Sequence, residues 1–128
     1  MFKIFNNKNL VKMTQMSMKY KAVSINDIGK FLLENKQMLL SLEDKSTLNL
    51  PKIRDLYVKE AFLCIEKNDG KQNILLGLKS FKDGIIVKQS ILSGDKKQIQ
   101  EQLNSIDFLN SFEAQYKALT YYLKSNQY

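Results

Sequence analysis

Few residues in this chain could carry chemistry. Its 128 residues include no histidine and a single cysteine, Cys64. Without histidine the common zinc ligand sets cannot be assembled. The Ser-His and Cys-His nucleophile pairs and the histidine general base go with them. Cys64 sits in the apolar run Ala61-Phe62-Leu63-Cys64-Ile65, which reads as a small buried hydrophobe rather than a reactive thiol. Lysine, tyrosine and carboxylate chemistry remain.

The remaining candidates do not form familiar motifs. Gly77-Leu78-Lys79-Ser80 lacks the upstream glycine of a P-loop. Counting back from Gly70 puts Ile65 and Lys67 where an EF-hand loop needs oxygen ligands. Asp69 and Asp83 each precede a glycine, where turn chemistry already accounts for them. Glu43 and Asp44 are adjacent at the expected end of a helix, which suits a solvated exit. No metal or cofactor set emerges, and the expectation is a non-enzymatic protein with no cofactor.

Charge is the clearest asymmetry. The chain has 20 basic and 13 acidic residues, a net +7, and Arg54 is the only arginine. Lys3, Lys8, Lys12, Lys19 and Lys21 lie in the first 24 residues, which contain no acid and so carry five of those seven charges. Such a basic patch suits nucleic acid, an acidic protein or an anionic surface. It also suits a strand edge protected by lysine against sheet-to-sheet association. Base-specific contacts favour arginine's bidentate fork, so any nucleic-acid binding would be lysine-driven and weakly sequence-specific. That reading predicts one basic face joining Lys19 and Lys21 to Lys79 and Lys88.

The elements that position these residues follow from periodicity. About two-thirds of the surface of a chain this size can be buried, enough for one core. No Pro/Gly/Ser linker divides the sequence, so residues 1–128 read as a single α+β domain. Residues 1–15 are expected as a short hairpin or a loosely ordered basic leader. Met16, Met18, Tyr20 and Ala22 alternate with polar residues, the pattern of a half-buried strand. Ser24-x-x-Asp27 resembles a capping box that opens a helix over about 25–44. Its main apolar arc includes Ile28, Phe31, Leu32 and Leu39, with Asn35 inside it and in need of a hydrogen-bond partner. Leu33 and Leu40 fall outside that arc and form a second face for a partner or a second copy of the chain.

Pro51 suits the first turn of a short helix through Tyr57. The turns Asn68-Asp69-Gly70 and Lys82-Asp83-Gly84 then divide a three-stranded antiparallel meander over about 60–92, in a sheet of three to five strands. Asp95-x-x-Gln98 caps the next helix, about 95–105. The apolar stripe then jumps by roughly half a turn between Ile106 and Phe108, so one straight helix cannot bury both parts. This predicts a break at Ser105-Ile106-Asp107, with Asp107 capping a last helix over about 108–124. Tyr116 and Tyr122 are expected at the core or its edge. Tyr121 and Lys117 are expected on the outer face, where tyrosine is enriched at interfaces.

The expected function is therefore a small protein-binding module: an immunity- or antitoxin-like inhibitor, a dedicated chaperone, or a phage or plasmid adaptor. Its contact residues would be Leu33, Leu40, Lys117 and Tyr121, and an acidic partner would suit its charge. The alternative is the lysine-driven nucleic-acid binder. With a lone cysteine, no secretory signal and no apolar run near the ~20 residues of a membrane helix, the expected setting is the cytoplasm.

Overall fold

The computed structural model describes residues 24–126. The expected leader or hairpin, the strand of residues 16–22, and Lys3, Lys8, Lys12, Lys19 and Lys21 lie outside the described residues.

Helix α1, Ile25–Glu34, opens on the expected capping box. The Asp27 amide donates to Ser24 Oγ at 3.1 Å, and the Ser24 amide donates to Asp27 Oδ2 at 3.3 Å. Hydrogen bonding of the Ser24 hydroxyl and amide to the ionised carboxylate, with the Lys30 charge nearby, holds the Asp27 carboxyl below its usual range. The helix is shorter than its periodicity predicts. Asn35 turns its side chain back, and Nδ2 donates to the Phe31 carbonyl at 2.8 Å. That bond supplies the expected partner and stops the helix. The chain resumes for just over one turn as α2, Lys36–Leu40. The changed direction carries Leu40 into the core at 2% exposure, and Leu33 packs half-buried against the same core. The separate outward face expected of Leu33 and Leu40 does not form.

The helix expected over 51–57 is also absent. Residues Thr47–Asn49 form β1 instead, with Thr47, Leu48 and Asn49 opposite Cys64, Leu63 and Phe62. The Leu50 amide continues the pairing by donating to the Ala61 carbonyl at 2.9 Å. Residues 51–57 themselves run as a loop, in which Asp55 Oδ1 accepts the Tyr57 amide at 2.7 Å and turns the backbone of the expected helix.

Strands β2, Val58–Asn68, β3, Lys71–Ser80, and β4, Ile86–Gly94, complete an antiparallel meander in the order β1-β2-β3-β4. Asp69 and Gly70 both have positive φ, 51° and 77°, as a tight two-residue hairpin requires. Ala61, Leu63 and Ile65 alternate into the core, joined by Ile74, Leu76 and Leu78. Phe62, Cys64 and Leu75 lie half-buried on the opposite face. Cys64 is thus not in the core, and its Sγ lies 3.8 Å from Thr47 Oγ1. A Cβ on Gly77 would meet the Phe62 ring at 2.4 Å, so this ring packs over bare backbone.

Helix α3, Lys96–Asn104, opens on a capping box between Asp95 and Gln98. Helix α4 runs Phe108–Ser125, so the chain breaks where the apolar stripe shifts. Asp107 occupies the cap position, but its side chain makes no capping bond; its amide donates to Ser105 Oγ at 3.2 Å. Helix α3 packs on β4, α4 crosses β4 and β3, and α1 lies against α4. The α1–α4 approach is close: a Cβ on Gly29 would lie 2.6 Å from Leu109 Cδ2. Among the described residues no helix is long and apolar enough to cross a membrane.

Candidate functional site

A cleft of about 910 Å³ opens between the loop before β2, the start of α1 and the outer side of α4. The loop is shaped by Asp55, whose Oδ1 accepts the Tyr57 amide at 2.7 Å. An aspartate bonding the amide two residues on is an Asx turn, which stands in for a backbone turn. The other carboxylate oxygen, Oδ2, faces the Tyr116 hydroxyl at 3.4 Å. This polar contact ties the loop to α4 on the cleft floor.

Helix α4 supplies Tyr116, Lys117, Thr120, Tyr121 and Lys124 to the wall. Their spacing places them along one side of the helix. Thr120 donates from Oγ1 to the Tyr116 carbonyl at 2.9 Å. Ile53 and Ile25 add apolar lining, and Arg54 comes from the loop. The cleft thus holds three cations, Arg54, Lys117 and Lys124, against one carboxylate, Asp55. Lys117 shares its charge with Glu113 at 3.3 Å on the helix surface, and Lys124 Nζ sits 5.9 Å from the centre of the Tyr57 ring. Among the described residues Arg54 has no ion-pair partner. Burial, and then the charge and hydrogen bond of Asp55, push the Tyr116 phenol well above its ordinary value of 10.0. Tyr116 therefore stays protonated and donates to Asp55.

Next to this cleft lies an apolar rim. Leu56 is 84% exposed, Phe81 67% and Ile86 51%, with Ile85 also exposed. Backbone bonds bring these residues to one end of the sheet. The Phe81 amide donates to the Tyr57 carbonyl at 2.8 Å, and the Ser80 amide donates to the Ile85 carbonyl at 2.7 Å.

Of the four partner-contact residues expected from sequence, Lys117 and Tyr121 meet at this cleft, and Tyr121 is 65% exposed. Leu33 and Leu40 do not join them. Tyr116 is core, whereas Tyr122 is exposed rather than at the core edge. Arg54 and the rim were missed. The sequence signal for them was the Asp55-Leu56-Tyr57 turn, hidden by reading Pro51–Tyr57 as helix. Lys79 and Lys88 do share the outer face of the sheet, opposite Ile86 and Gly77, and Lys79 pairs with Glu60 at 3.7 Å.

Among the described residues that line the cleft the single carboxylate, Asp55, is engaged twice, by the Tyr57 amide and by the Tyr116 hydroxyl. Among the described residues no group of three acidic or cysteine side chains could hold a metal ion. The chain matches no family model, no curated protein and no solved structure.

Proposed function

We propose that this chain is a non-enzymatic protein-binding module that meets its partner with the end of the molecule formed by the cleft and its apolar rim. The observation that carries the reading is the exposure of Leu56, next in the chain to the cleft residue Asp55, and of Tyr121 on the cleft wall, together with exposed Phe81, whose amide is bonded to the Tyr57 carbonyl. Large apolar side chains gathered at one place on a surface mark contact sites, whereas scattered ones need no explanation. Tyrosine and arginine are the residue types enriched among contacts that dominate binding, and Tyr121 and Arg54 flank the same opening. An inhibitor, chaperone or adaptor working in the cytoplasm fits a chain with a lone cysteine and no histidine.

Affinity capture from the native host, at low and high salt and with nuclease treatment, tests this. A protein partner is expected to survive both treatments. Its recovery should fall at least tenfold with Phe81→Asp, since central contacts are worth roughly 2 kcal/mol or more. Recovery unaffected by Phe81→Asp and by Tyr121→Ala would overturn the reading. Capture of nucleic acid alone, lost at moderate salt, would favour the lysine-driven alternative, which draws support from Lys79 and Lys88 on one face.

A further inference from the structure

We infer that the cleft between the Ile53–Asp55 loop and α4 receives an acidic segment of the partner protein, whose carboxylates are held by Arg54, Lys117 and Lys124. This inference rests on the protein-binding reading and names the chemistry of one contact within it. The argument is charge complementarity. Three cations face one carboxylate across the opening, and that carboxylate is turned into the floor by the Tyr57 amide and the Tyr116 hydroxyl. Among the described residues Arg54 has no ion-pair partner and Lys124 pairs with no carboxylate, its Nζ lying 5.9 Å from the centre of the Tyr57 ring. Lys117 is held by one surface pair with Glu113, a bond of a kind worth about 0–1 kcal/mol and easily exchanged.

The shape selects a peptide over a lone anion. A volume of about 910 Å³ stands at the upper end of the ~300–1,000 Å³ usual for ligand clefts. Ile53 and the exposed ring of Tyr121 give apolar contact between the cations, which suits side-chain methylenes alternating with carboxylates. Arginine grips a carboxylate through two parallel N–H bonds, so Arg54 is the expected anchor. A nucleic-acid strand fits less well. Its specific contacts call for more than one arginine, and Arg54 is the only arginine in the chain.

The probe is a terminally blocked octaglutamate peptide, titrated into the full chain at low salt and followed by amide chemical shifts. Saturable shifts are expected at Arg54, Lys117, Thr120 and Tyr121. Arg54→Ala should weaken binding about tenfold, while Lys71→Ala, with the same loss of net charge at the far hairpin, leaves it unchanged. Equal effects of the two variants, or shifts spread over lysines on all sides, would overturn the inference. So would an oligothymidylate that binds the same cleft more tightly at equal salt. Thermal melts of both variants establish that they remain folded. Phe81→Asp should leave octaglutamate binding intact. Capture that fails with the unaltered chain, or that Phe81→Asp leaves unchanged, while peptide binding is intact therefore counts against the apolar rim, and absence of peptide binding by the unaltered chain counts against the cleft.

Discussion

The Tyr116 hydroxyl faces the Asp55 carboxylate at 3.4 Å across 61 positions of sequence. This contact joins the loop before β2 to the last helix and sets one wall of the cleft against the other. Its partners differ in what they need. Asp55 is already satisfied by the Tyr57 amide, whereas the buried Tyr116 hydroxyl depends on Asp55.

An alkaline pH dependence follows from that imbalance. The Tyr116 phenol is raised in the folded chain above its ordinary value of 10.0. The unfolded chain then ionises first, so this contribution to stability is complete below about pH 10 and is lost as pH rises toward the folded value. Urea unfolding between pH 8 and 11 should show midpoints falling at the alkaline end. In Tyr116→Phe the fall should be shallower, with a loss of about 0.5–1.5 kcal/mol at pH 8 from the missing hydrogen bond. Identical alkaline slopes in the two proteins would show that Tyr116 is not the group responsible.

The outer face of the sheet has its own dependence, on Phe62 and Gly77. Gly77→Ala would set a Cβ 2.4 Å from the Phe62 ring, so either ring or strand must move. The expected cost is about 1–3 kcal/mol, read from the denaturation midpoint at constant slope. Phe62→Ala combined with Gly77→Ala should cost less than the two losses added together, because the clash disappears with the ring. Simple additivity would mean that the two residues are not in contact.

Leu40 and Tyr121 separate burial from exposure. Leu40 is 2% exposed inside the core and Tyr121 is 65% exposed at the cleft. Leu40→Ala should lose about 2–5 kcal/mol by chemical denaturation, whereas Tyr121→Ala should stay within about 0.5 kcal/mol. A Leu40→Ala protein of unchanged stability would return Leu40 to the surface and reopen a dimer contact there.

Local chemistry alone determined much of this protein. Ser24 with Asp27 and Asp95 with Gln98 start their helices because each box closes within four residues. Asp69-Gly70 turns a hairpin wherever it falls between two strand-forming runs. The shift of the apolar stripe near Ile106 announces the break in the last helical region, because one straight helix cannot bury both parts, and Ile106 is left 91% exposed. Histidine's absence bounded the chemistry before any fold was known.

Tertiary structure decided what depended on distant partners. Residues 47–49 became a strand because β2 offered an unpaired edge, which no propensity in Thr47-Leu48-Asn49 announces. The break at Asn35 gained a reason only with the core present, since the turn it makes delivers Leu39 and Leu40 to buried positions. Lys117 and Tyr121 were legible as an outward helix face, but the cleft was not. Arg54 reaches that site only because the loop is held to α4 by Asp55 and Tyr116. Periodicity and capping act over a few residues, whereas this contact closes a long stretch of chain, and its entropy cost is offset only when the core between the two ends has formed.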